Sequence, residues 1–128
     1  MWQWEKMEKA GVKMQALFIV LNETQHLENI LEAFVEVGVK GATIVDSQGM
    51  GRALASNSNQ HLPLFGYLKT LMDDAHPYNK TIFTVLEDEE LVEKAVKAVK
   101  GVVGDMNRPG VGFMFTVPVG KVYGLGKQ

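Results

Sequence analysis

Every residue from Ala16 to Leu21 is apolar, and the apolar positions then recur at Leu27, Ile30, Leu31, Phe34 and Val35, so a continuous strand-like run gives way to helical spacing. The same change returns further on. LFIVLNETQHLENILEAF (17–34) and IFTVLEDEELVEKAVKAV (82–99) align without a gap, with Phe18 on Phe83, Val20 on Val85, Leu21 on Leu86, Glu28 on Glu93 and Ala33 on Ala98. Each copy is an apolar strand, an acidic helix start and an amphipathic helix. Each is followed by a second β-branched or aromatic run, GATIVD at 41–46 and VGFMFTVPV at 111–119, so the chain reads βαβ twice.

Local signals place the ends of these units. A strand over 15–22 has both faces covered, because it never alternates. Asn22, Glu23 and Thr24 offer cap chemistry for the first helix, Gly38 stops it, and two glycines in VGVKG return the chain to a strand over 42–46. The third strand is expected over 81–86, and Asp88 caps a helix carrying Leu91, Val92, Ala95, Val96 and Val99 on one side. A shaped loop over 101–110 leads to the last strand, where alternation sets Val111, Phe113, Phe115 and Val117 one way and Met114 the other.

Between residues 47 and 80 the periodicity lapses. Gly49, Met50, Gly51 and Arg52 read as a permissive turn, 56–60 as a polar loop, and Pro63 as the start of a short helix with Leu64, Phe65, Leu68, Leu71 and Met72 on one face. Gly66 weakens that helix by roughly 1 kcal/mol relative to alanine. Residues 73–79 are turn chemistry.

Two βαβ units make an α+β chain of ferredoxin-like type, βαββαβ, with four antiparallel strands and both helices on one face, plus a partly helical insertion at 53–79. One domain over 16–128 accounts for it. Residues 1–15, with Trp2 and Trp4, form an N-terminal tail or a docking arm. Two helices cover one side of the sheet, yet apolar residues point to both, so the uncovered side marks an interface and the chain is not monomeric.

Composition narrows the function classes. With 128 residues, 46% hydrophobic and 22% charged, the chain is an ordinary globular one, and its formal charge of −2 with no basic stripe argues against nucleic acid as partner. Cys 0 removes disulfides, thiol nucleophiles and thiolate metal sites. No apolar run matches a membrane span or a signal peptide, so a reducing cytoplasm is the expected home.

The chemistry that remains sits in glycine-rich segments. Gly49, Gly51 and Arg52 form one; Gly104, Asp105, Asn107, Arg108 and Gly110 form the other. Freed backbone N–H groups can converge on an anion, with a guanidinium adding a bidentate clamp for phosphate or carboxylate. Alternatively the second loop is a plain connection with Arg108 in solvent. His26, His61 and His76 stand apart from any ligand set, so no metal is expected. No nucleophile–base pair is visible, so the chain is expected not to be an enzyme.

VGVKGATIVDSQGMGRAL (37–54), with its GVKG turn and GxGR, resembles the stretch of nitrogen regulatory PII proteins that runs from the end of helix one to the root of their T-loop. TIFTVLEDEELVEKAVKAV resembles their third strand and second helix, Gly104-Asp105 the GD of their B-loop, and residues 115–119 their F-x-x-P-V strand end; the likeness spans roughly 16–123. The resemblance implies a ferredoxin-like trimer that binds an adenine nucleotide in clefts between subunits. Gly49, Gly51 and Arg52 would then be the T-loop root, and Gly104 and Asp105 the phosphate-cradling loop. Departures bear on that site: Ala53 follows GxGR where the family has Gln, GDMNRPG replaces GDGK, and Gly124 and Gly126 fall where two arginines grip phosphates. They argue against ATP held with the usual phosphate grip and leave a smaller or less charged effector open. The expected function is that of a PII-like regulatory protein, with a role in nitrogen metabolism, that senses a small effector and signals to a protein target through 53–79. An acylphosphatase-like enzyme and an ACT-like amino-acid-binding module are the rival readings.

Overall fold

A computed structural model describes residues 14–55 and 78–125. Residues 1–13 of the expected N-terminal arm, the helix over 64–72, the loop at 56–60, His61, His76 and Gly126 lie outside the described residues.

The chain runs β1 (Gln15–Leu21), a 3-10 turn (Thr24–His26), α1 (Leu27–Val37), β2 (Thr43–Ser47), α2 (Met50–Ala55), β3 (Asn79–Leu86), α3 (Glu89–Val103) and β4 (Gly112–Pro118). The sheet is fully antiparallel in the order β2-β3-β1-β4, so the two copies of the repeat put β1 and β3 side by side at its centre. Phe18 opposes Phe83, the same pair that the gapless alignment matched.

Strand alternation divides the side chains. Leu17, Ile19 and Leu21 of β1 and Ile82 and Leu86 of β3 face the helices and are buried against Ile30 and Phe34 of α1 and Val92, Ala95, Val99 and Val103 of α3. Each aliphatic side chain fully removed from water contributes about 1.5–3 kcal/mol, and this single layer is the core. Thr84, a buried polar residue on the helix side, donates through Oγ1 to the Gly41 carbonyl at 2.6 Å.

The helix ends follow the local signals in part. Asp88 caps α3, its Oδ1 accepting from the Leu91 N–H at 2.8 Å. Gly38 ends α1 at φ 99° while the Val39 N–H reaches back to the Phe34 carbonyl, a left-handed stop that glycine adopts without strain. Asn22, Glu23 and Thr24 do not cap: the helix opens through the 3-10 turn with no side-chain cap bond. Residues 49–52 are not a turn, since Met50, Gly51 and Arg52 belong to α2. The loop expected from Gly101 starts at Gly104, because Val99 and Val103 are spaced one turn apart on the buried face and carry the helix through Gly101.

Candidate functional site

Antiparallel pairing brings the C-terminal ends of β1 and β2 and the N-terminal ends of β3 and β4 to one end of the sheet. Ser47 pairs with Asn79, Lys80 with Leu21, and Leu21 with Gly112. Both glycine-rich segments sit at this end. They lie on opposite edges, with Gly49, Gly51 and Arg52 after β2 and Gly104 to Gly110 before β4. Three inter-strand spacings, about 14 Å, separate the edges, so the two segments do not meet around one small ligand within a protomer.

The second segment borders an open groove of ≈ 530 Å³ between the end of α3 and β4. Gly104, Asp105 and Asn107 line it, together with Lys100, Met106 and Phe113. Gly104 leaves the helix at φ 81°, and the Asp105 carboxylate accepts from the Asn107 N–H at 2.9 Å, which turns the chain across the groove mouth. Gly110 adopts φ 83°. The hardest constraint falls on Gly112, which the sequence reading did not single out. Its φ is 137°, and a Cβ built there would stand 2.2 Å from the Val20 carbonyl oxygen. This conformation breaks the alternation that the sequence suggested. Val111 turns inward and is fully buried, instead of sharing the face of Phe113, Phe115 and Val117.

Arg108 does not line the groove. Its Nη2 donates to the Val103 carbonyl at 3.0 Å and to Glu23 Oε1 at 3.3 Å, and its Nη1 to Glu23 Oε2 at 3.5 Å. His26 Nε2 meets the same carboxylate at 3.2 Å. The Arg108 hydrogen bonds, with a smaller attraction to His26, hold the Glu23 carboxyl below the usual carboxylate range against its partial desolvation. Neither Glu23 nor His26 was legible as a site residue. One signal was present: in the repeat Glu23 aligns with Asp88, and a glutamate where the second copy caps with aspartate is free to reach elsewhere.

On the β2 side, Arg52 is half-buried and its Nε is enclosed without a hydrogen-bond partner among the described residues. Gly49 lies near Asn79. Asn79 accepts from Ser47 Oγ and donates to Asn22 Oδ1 at 3.1 Å, while Ser47 also meets Thr81 Oγ1 at 2.7 Å. A polar belt thus runs from the root of α2 to Asn22, next to Glu23. Among the described residues there is no group of three or more metal-ligating side chains, and no helix is long and apolar enough to cross a membrane.

Comparison with known proteins places this arrangement. The sequence model of the family "Nitrogen regulatory protein P-II" matches residues 14–127. A nitrogen regulatory protein P-II of Azospirillum brasilense is 30% identical over 96 residues, which is 75% of this chain and 78% of the relative. Among solved structures, Arabidopsis thaliana PII bound to citrate aligns with a TM-score of 0.56 at 16% identity, covering 84% of this chain and 78% of that one. The B. subtilis GlnK-ATP complex aligns at 0.53 and 15% identity, covering 84% and 82%. These two likenesses speak to the fold, a ferredoxin-like α+β sheet.

Proposed function

The chain belongs to the nitrogen regulatory protein P-II family, a family of signalling regulators and not of enzymes, and from that premise we propose that it senses a small effector in clefts between the subunits of a trimer. The observation that carries this reading is the groove beside β4, where Gly104, Asp105 and Asn107 line a volume suited to a metabolite. Supporting it, Gly49, Gly51 and Arg52 sit at the same end of the sheet on the opposite edge, where a neighbouring copy around a rotation axis could present them to this groove. Lys100 is the cation at the groove itself; Arg108 beside it is held by Glu23, and Arg52 lies on the far edge of the sheet. The solved relatives bind citrate in one case and ATP in the other; we extend that range of effectors to this chain. With GDMNRPG in place of GDGK and Gly124 and Gly126 in place of two arginines, an adenine nucleotide with few phosphates or a small carboxylate fits better than a fully gripped triphosphate. The signal would pass through 53–79 to a protein target, and nitrogen metabolism is the pathway that the family suggests.

A thermal-shift screen with ATP, ADP, AMP, cyclic dinucleotides, citrate and 2-oxo acids tests it. A ligand at a hundred times its Kd stabilises the native state by about 2.7 kcal/mol, so at least one of these should raise Tm by several degrees. A flat response across the panel overturns the reading.

A further inference from the structure

The guanidinium that the site would offer to an anion is already holding one. Arg108 presents both terminal nitrogens to the two oxygens of Glu23, the fork-to-fork arrangement that guanidinium also makes with an external carboxylate or phosphate. The pair is pinned from both sides. Arg108 bonds the last carbonyl of α3, at Val103, and the backbone N–H groups of Asn22 and Glu23 both reach the Val111 carbonyl, at 2.9 and 3.3 Å. Residues 104–110 are therefore buckled shut by one side-chain pair that spans their two ends. His26 adds a third contact to the carboxylate.

We infer that Glu23 is a specificity-determining residue, an internal carboxylate that occupies the Arg108 fork and that an anionic effector must displace before Arg108 can serve the groove. Charge bookkeeping supports it. Lys100 and Asp105 at the groove cancel, and so do Arg108 and Glu23 beside it. The region is electrically neutral while Glu23 holds the guanidinium, and gains one positive charge when Glu23 is neutral. An anion that takes the Arg108 fork competes with the Glu23 carboxylate, which stays charged beside it when the buckle opens, whereas removing that charge leaves the fork unopposed. The pair is part-exposed, with side chains 47% and 25% accessible, so its opening does not require unfolding.

The inference rests on the proposed effector site, and calorimetric titration of ATP and of citrate into the wild type, Glu23→Gln, Arg108→Ala and the double variant separates the two. Glutamine keeps an oxygen for Arg108 but removes the charge. The expected result is that Glu23→Gln binds at least one of the two anions about ten-fold more tightly, the value of one charge-assisted contact no longer opposed. Arg108→Ala should bind it more weakly than the wild type, and Glu23→Gln should add nothing in the Arg108→Ala background. Equal affinity in wild type and Glu23→Gln overturns the inference while leaving the effector site standing. A gain that persists without Arg108 also overturns it, since the effect would then be a general field. Absence of binding in every variant removes the effector site and the inference together.

Discussion

At the scale of single residues, two glycines of the same region have opposite roles. Gly112 works at φ 137° with the Val20 carbonyl 2.2 Å from where a Cβ would stand, and that oxygen belongs to the central strand. Gly112→Ala should therefore cost about 3 kcal/mol or more, combining positive-φ strain with a backbone clash, read as a lowered urea midpoint. Gly101 lies inside α3 with open space around it. Gly101→Ala should raise stability by about 0.5–1 kcal/mol in the same titration, because alanine loses less backbone entropy in a helix. Glu23 provides a pH test. Arg108 and His26 face its carboxyl and hold its folded-state value below the usual range, so the unfolded chain takes up the proton at higher pH than the folded one. Its contribution is present at neutral pH and is lost as pH falls from the ordinary glutamate range through the lowered folded value. Wild type should lose more stability on acidification than Glu23→Gln; parallel acid melting curves for the two would remove this pair from the stability of the loop.

At the scale of elements, what could be read depended on whether the signal was local. The β1 run, the Asp88 cap and the Gly38 stop are each dictated within a few residues and stand where the sequence places them, and β3 ends where expected but opens two residues earlier. Asp88→Ala should cost about 1 kcal/mol through the lost bond to the Leu91 N–H, checked by chemical denaturation, with thermal aggregation state held constant. The misreadings have long-range causes. Asn22 looks like a cap but is taken by Asn79, 57 residues away, and by the backbone of Val111. Asn79 looks like turn chemistry but opens β3 because Ser47 opposes it. Val111 obeys strand alternation on paper, yet the left-handed geometry of Gly112 turns it into the core. The glycine segments with an arginine in each could be read as candidates from the sequence, but their places on opposite edges of the sheet, with Arg108 outside the groove, could not. The partner of Arg108 was not, since no local pattern says that residues 23 and 108 meet.

At the scale of the whole molecule, the side of the sheet away from the helices decides how the chain exists in solution. Phe83, Phe18 and Phe115 stack across three strands, with ring centroids 5.5 and 5.1 Å apart, and Phe113 follows at 6.1 Å. Phe113, Phe115 and Val117 remain 55%, 45% and 40% exposed, and Val45 of β2 extends the patch to the other edge. An aromatic ladder running from one edge of a sheet to the centre is costly to leave in water, and burying it against copies of itself removes that cost. Phe115→Asp tests the proposed trimer at the β4 edge of this surface. The side chain is only half-buried in the protomer and contributes nothing to the helix-side core, so the fold should survive with near-unchanged far-UV circular dichroism. Three carboxylates brought together at an apolar interface should not be tolerated, because each would have to be desolvated without a partner. Light scattering should then fall from a trimer mass to a monomer mass at micromolar concentration. A monomer mass for the wild type would leave the aromatic face without the covering that its exposure calls for, and would remove the intersubunit cleft from the proposal.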